Sequence, residues 1–168
     1  MALSKIQAES MNLADTFAFT GTVSGAGDPA KILQIVHATP INPTSGSTSG
    51  SSSYATYITK SITPSNASNK ILILSKMNAY TSTGTTWSGS DWRARLLRGS
   101  TEIVNNNMSY SRRNVSATAF HAGDLIINHI DSPNTTSEVT YNYQAKYNSP
   151  SNSMSIYHTE MILMEIVA

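Results

Sequence analysis

Four histidines, His37, His121, His129 and His158, are the side chains in this sequence best suited by type to acid–base or metal chemistry. Two of them have an acid two positions on, in His129-Ile-Asp131 and His158-Thr-Glu160. On extended backbone each pair shares one strand face, and two such pairs brought together could in principle hold a metal. Their spacings match no established ligand motif, however, and a hydrogen bond or ion pair along the face explains them more simply. Serines are too abundant for a Ser–His–Asp constellation to be informative. There is no Gly-x-Ser-x-Gly elbow and no phosphate loop ending in Gly-Lys-Ser/Thr, and Gly25-Ala-Gly27 lacks the third glycine and following helix of a dinucleotide fingerprint. Glycoside cleavage needs two acids in one cleft, and no local pattern singles out two of the ten Asp and Glu residues. These residues predict no enzyme, no cofactor and no metal.

Binding chemistry is better represented. Arg93, Arg95 and Arg98, with Arg112 and Arg113, form the basic clusters of the chain, and Trp87, Trp92 and Tyr110 lie close to them in sequence. Aromatic rings that stack on sugar faces, beside guanidinium groups that donate in pairs, are what a glycan-binding surface uses. Trp87, Trp92, Tyr110, Arg112 and Arg113 are accordingly the expected ligand or receptor contacts. The competing reading places Trp92 in the core and pairs the arginines with acids across a subunit contact. Nucleic acid is not an expected partner, because the net charge is only +1.

The elements that must carry these residues are strands. Hydrophobic residues make up 39% of the 168 positions and charged ones 12%, about half the usual charged share. Ser, Thr and Asn fill the deficit, at roughly a third of the chain. Low charge with abundant Thr and Tyr favours strands and turns over a helical bundle. The absence of cysteine excludes a disulfide framework and thiolate metal sites. The first ten residues hold no apolar core of signal-peptide length and no window approaches a membrane span, so synthesis in a cytoplasm and no membrane insertion are expected. The sequons at Asn66, Asn107, Asn114 and Asn134 then reflect composition.

The clearest pattern lies near the end of the chain. Val139, Tyr141, Tyr143, Ala145 and Tyr147 alternate with Thr140, Asn142, Gln144 and Lys146, as in a half-buried strand. The turn Asn148-Ser-Pro-Ser-Asn152 leads to a return strand from about Met154, whose second half, Met161 to Val167, is apolar at nearly every position. Such a run is covered on both faces within the chain, or its outer face meets another subunit. Met161, Leu163, Met164 and Ile166 are the expected interface residues. Earlier strands are expected at Lys31–Thr39, Tyr54–Ile62, Lys70–Asn78 (central, since both faces are apolar at first), Asp91–Arg98 and Glu102–Val104. Residues 105–114 read as an exposed connection. Ala117–His121 and Leu125–Asp131 read as two strands about a turn at Ala122-Gly-Asp124. The Ser/Thr/Gly stretch Thr44–Ser53 reads as a surface loop. Residues 1–30 stand apart: Leu3, Ile6, Leu13, Phe17 and Phe19 suggest a docking arm, and residues 31–168 form one domain. Eight to ten strands without a long helix predict an all-β β-sandwich or jelly roll with an extended N-terminal arm.

Several segments together resemble bacteriophage virion proteins, especially tail-fibre-like proteins of cyanobacterial and marine phages. They are the opening Met-Ala-Leu-Ser-Lys-Ile-Gln, Phe17-Ala-Phe-Thr-Gly-Thr-Val23, and Ile62-Thr-Pro-Ser-Asn-Ala-Ser-Asn-Lys-Ile-Leu-Ile73. Arg95-Leu-Leu-Arg-Gly-Ser-Thr101, the Asp131-Ser-Pro-Asn-Thr-Thr136 turn with its tyrosine strand, and the closing Met161-Ile-Leu-Met-Glu-Ile-Val-Ala168 complete the set. The resemblance implies a non-enzymatic structural protein on the virion exterior. It further implies a homotrimer whose partners are other virion proteins (tail or baseplate, or the major capsid protein), with a host surface glycan as a further partner. Relatives place this module after a long shaft, whereas about 30 residues precede it here. A short tail fibre or fibre tip is the leading expectation, a trimeric capsid decoration or cement protein the alternative, and a stand-alone carbohydrate-binding module comes third.

Overall fold

The computed structural model describes residues 31–41, 46–49, 53–83, 90–110, 119–148 and 153–167. They form nine strands: β1 (Ile32–Ile41), β2 (Gly46–Ser49), β3 (Ala55–Ile62), β4 (Lys70–Thr83), β5 (Ser90–Arg98), β6 (Thr101–Tyr110), β7 (Ala119–Asp131), β8 (Val139–Asn148) and β9 (Ser153–Ile166). The first sheet has the order β1-β9-β4-β7, with the short β2 also on β9; the second has the order β3-β8-β5-β6. Every pairing is antiparallel. Apart from the β5–β6 hairpin, the chain crosses from one sheet to the other between successive long strands. This is the two-sheet, eight-strand arrangement of a jelly roll, with β2 as an addition.

The core lies between the sheets and is supplied by alternate residues, as the strand period requires. From β8 it takes Val139, Tyr141, Tyr143, Ala145 and Tyr147, the five residues the alternation selects, all buried. Ile71, Ile73, Met77 and Ala79 enter from β4, and Trp92, Ala94 and Leu96 from β5. Leu125 and Ile127 come from β7, and Ile156, Met161 and Leu163 from β9. β4 lies between β9 and β7, the central place its apolar run predicts.

Three expectations are corrected. β7 runs unbroken from Ala119 to Asp131, with no turn at Ala122-Gly-Asp124. Gly123 pairs with Ala79 in the sheet, and its missing side chain makes room for the Trp92 ring; a Cβ there would sit 3.1 Å from Trp92 Cζ3. The glycine marks a close approach rather than a turn. β6 continues through the asparagines to Tyr110, because it is an edge strand and only its β5 side must pair. Within the Ser/Thr/Gly stretch, Gly46–Ser49 adds four residues to β9 through backbone pairing that no hydrophobic pattern announces.

Candidate functional site

Of the expected ligand contacts, Trp87, Arg112 and Arg113 fall outside the described residues, as do the arm positions Leu3, Ile6, Leu13, Phe17 and Phe19. Tyr110 ends β6. Trp92 is a correction: it is a core residue, 9% exposed, against Gly123, so it cannot stack on a sugar without the core opening. Two of the neighbouring arginines are engaged within the chain. Arg95 donates to Glu102 Oε2 (3.1 Å) and Gln144 Oε1 (2.8 Å) and lies 4.0 Å above the Tyr54 ring centroid, which Lys146 also approaches. Arg98 is committed to Asp131.

The expected interface residues divide by strand parity. Met161 and Leu163 face the interior and are fully buried in the single chain, which corrects their assignment to a subunit contact. Met164 and Ile166 are half-buried on the outer face. Among the described residues no group of three or more His, Asp or Glu side chains is placed to hold a metal. His158 and Glu160 do share a face, with Nε2 to Oε2 at 3.8 Å, and His37 from β1 joins the same carboxylate at 3.3 Å. Asp131 turns instead to Arg98 and Tyr141.

Two buried carboxylates organise the sandwich. Glu165 has the inward parity of Met161 and Leu163 and is 0% exposed. Its Oε1 accepts hydrogen bonds from the Ser65 amide (2.7 Å), the Ser65 hydroxyl (2.7 Å) and Asn69 Nδ2 (2.6 Å). Its Oε2 accepts from Gln34 Nε2 (2.7 Å), which also donates to the Thr63 carbonyl. One carboxylate thus ties β9, β1 and the β3–β4 connection together. Burial alone would raise the carboxyl's pKa, but donation from Asn69, Gln34 and Ser65 outweighs it and holds the group at about 2. The connection is itself shaped for this. Asn66 Oδ1 accepts from the Ser68 amide and hydroxyl, and the Asn69 amide donates to the Asn66 carbonyl, which brings Ser65 and Asn69 to the same side.

The second clamp is Asp131, at the end of β7. Its Oδ1 and Oδ2 both accept from Arg98 Nη1 at 3.0 Å, and Oδ2 also accepts from the Tyr141 hydroxyl at 2.7 Å. Arg98 Nη1 further donates to the Ser132 carbonyl. Burial, then the bond to Asp131, pushes the Tyr141 hydroxyl far above its ordinary pKa, so it stays a donor. The clamp joins β7 of the first sheet to β5 and β8 of the second. Gly99 closes the adjacent turn at φ +58°, its amide donating to the Thr140 carbonyl. Asn134 takes the left-handed conformation in the Asp131–Thr136 turn.

The two outer faces are unlike. On the second sheet Thr59 donates to Asn142, Ser61 bonds Thr140, and Gln144 donates to Thr56, a hydroxyl and amide surface whose groups satisfy one another. On the first sheet Ile35, Met164, Leu72 and Ile130 form one row across all four long strands. Ile35 is 60% and Ile130 53% exposed, and Ile126 (48%) and Ile32 (48%) lie nearby. Scattered surface isoleucines need no explanation, but a row spanning a sheet does.

No family model matches the chain, and no curated protein matches it. Among solved structures it is similar to a chain in the crystal structure of the T13 IBDV viral particle, at 9% identity and TM-score 0.44, over 90% of this chain and 36% of that one. It is similar also to chains of infectious bursal disease virus Gx strain (10% identity, TM-score 0.43, covering 89% and 38%) and Gt strain (11%, 0.43, covering 90% and 38%). This chain therefore spans well under half the length of the chains it is similar to. At such identities and TM-scores the likeness carries no conclusion about what the chain does.

Proposed function

We propose that this chain is a non-enzymatic structural protein on the exterior of a bacteriophage virion, a short tail fibre or fibre tip joined to other virion proteins through residues 1–30. One observation carries the reading. Four of the segments that resemble phage virion proteins converge on the two clamps. The Ile62–Ile73 segment supplies Ser65 and Asn69, and the closing segment supplies Glu165. Arg95–Thr101 supplies Arg98, and the Asp131 turn with its tyrosine strand supplies Asp131 and Tyr141. These residues are spent on holding two sheets together rather than on lining a cleft, which suits a building block better than a catalyst. The unlike outer faces add direction: the apolar face of the first sheet suits contact with protein, and the hydroxyl–amide face of the second suits solvent.

A specific observation favours the second reading, a capsid decoration protein. The fibre reading draws on an aromatic and basic ligand surface, and Trp92, Arg95 and Arg98 are already committed inside the chain. Counting copies per particle against the major capsid protein, by quantitative mass spectrometry of purified virions, separates the two. A few dozen copies at most supports the tail appendage, and hundreds support decoration. Absence from purified particles would overturn the virion reading in both forms.

A further inference from the structure

We infer that the outer face of the first sheet is a self-complementary surface on which a second copy of this chain packs, about a two-fold axis that runs parallel to the strands between β9 and β4. The inference deepens the structural-protein reading above by naming the partner of that face. It rests on the order of residues in successive rows across β1, β9, β4 and β7.

The first row is Ile35, Met164, Leu72, Ile130 and the second is His37, Ile162, Leu74, Asn128. In the third, Glu160 of β9 and Lys76 of β4 are followed by Ile126 of β7; in the fourth, His158 and Asn78 are followed by Asp124. A two-fold axis along the strands lays each row on the same row of the other copy, with strand order reversed. Ile35 then meets Ile130 of the second copy and Met164 meets its Leu72. His37 meets Asn128, Ile162 meets Leu74, and His158 meets Asn78. Glu160 meets Lys76, and by symmetry Lys76 meets Glu160. Ile35 and Ile130, Met164 and Leu72, and Ile162 and Leu74 bring apolar side chains together, Glu160 and Lys76 bring opposite charges together, and His37 with Asn128 and His158 with Asn78 bring polar side chains together. An axis across the strands, centred on the same patch, would instead lay the isoleucine row on the His158–Asn78–Asp124 row, which is disfavoured.

The charges at this end are prepared for burial. Lys76 Nζ lies 3.1 Å from Asp124 Oδ2, and Glu160 lies between His37 and His158. A packed layer would therefore cover polar side chains that already have partners instead of isolated ions. Four strands at ~4.8 Å spacing and about nine residues at ~3.3 Å give a patch of roughly 500 Å² in projection. Side-chain relief raises this toward the ~800 Å² per partner of a standard interface. Aligned sheet-on-sheet packing about 10 Å apart is an established way to bury such a face. A patch that complements itself makes an isologous, closed contact. The pairing thus replaces the threefold implied by the phage resemblance as the contact made by this sheet.

The test is the solution mass of the full chain by light scattering, for the wild type and for Ile130→Lys, Glu160→Lys and the double swap Lys76→Glu/Glu160→Lys. All the substituted positions lie on the outer face, and circular dichroism verifies that each variant keeps its strands. The wild type is expected at twice the 18.1 kDa chain mass. Ile130→Lys and Glu160→Lys should halve that mass, because each places a lysine against an apolar or a basic partner position, and the double swap should restore it. A monomeric or trimeric wild type would overturn the inference. So would single variants that stay dimeric, which would put the contact elsewhere, or a wild-type monomer that dimerises only when residues 1–30 are removed, which would make the chain's own N-terminal segment the occupant. Copy number in particles bears on the virion reading and solution mass on this one, so either can fail alone.

Discussion

Replacing Glu165 with Gln keeps the volume of the side chain and removes its charge, which isolates what the buried carboxylate does. Four donors converge on it: the Ser65 amide and hydroxyl, Asn69 Nδ2 and Gln34 Nε2. A glutamine can offer one oxygen to three of them, but its own amide nitrogen must then face Gln34 Nε2, donor against donor. Turning the Gln34 amide over would relieve that clash only by giving up its bond to the Thr63 carbonyl. The magnitude follows from the carboxyl's titration. The folded chain holds it at about 2 against an ordinary 4.5, and at ~1.4 kcal/mol per pH unit the gap corresponds to roughly 3 kcal/mol at neutral pH. For a domain of this size that is a loss of about 6–12 °C in Tm. The sign gives a sharper test. Because the folded pKa is depressed, the contribution is complete above the unfolded pKa of about 4.5 and drains away as the pH falls toward 2. Urea unfolding of wild type and Glu165→Gln, at one protein concentration so that self-association is held constant, should show a difference that is flat from pH 7 to about 5 and shrinks steadily below it. A difference under ~0.5 kcal/mol at pH 7, within the range of ordinary surface changes, or one that does not narrow in acid, would refute the clamp.

The three core tyrosines of β8 should respond differently to loss of the hydroxyl. Tyr141→Phe strips a donor from buried Asp131 and should cost ~1–3 kcal/mol. Tyr143→Phe, which frees the Leu125 carbonyl, should cost a similar ~1–3 kcal/mol. Tyr147→Phe should be neutral or stabilising, because its buried hydroxyl has no hydrogen-bond partner among the described residues; denaturant midpoints for the three variants check this order. Gly123→Val should lower stability by ~1–3 kcal/mol, since the added side chain must displace the Trp92 ring, and the near-ultraviolet tryptophan signal should change with it. With the solution masses of the outer-face variants, these measurements test the clamps, the core and the assembly surface separately.

The all-β class, the central place of β4 and the buried face of β8 can be read directly from the sequence, because a period of two states which side chains share a face before any partner strand is known. The same parity carried a signal that composition hides. Glu165 stands in phase with Met161 and Leu163, and an acid on an apolar face implies donors that meet it there. Nothing local names those donors, however. Gln34 lies 131 positions away and Asn69 lies 96. Nor does local pattern separate a glycine that turns the chain from one that admits a ring, which is why Gly123 reads as a turn until β4 and β5 are in place. Trp92 and Arg98 illustrate the same limit. Their types fit a binding surface, but burial beside Gly123 and commitment to Asp131 are properties of the folded sheets. The sequence by itself determined which residues alternate and what each side chain could do. Register between distant strands decided which of them meet, because long-range backbone pairing is indifferent to the side chains it carries until one face must be dry.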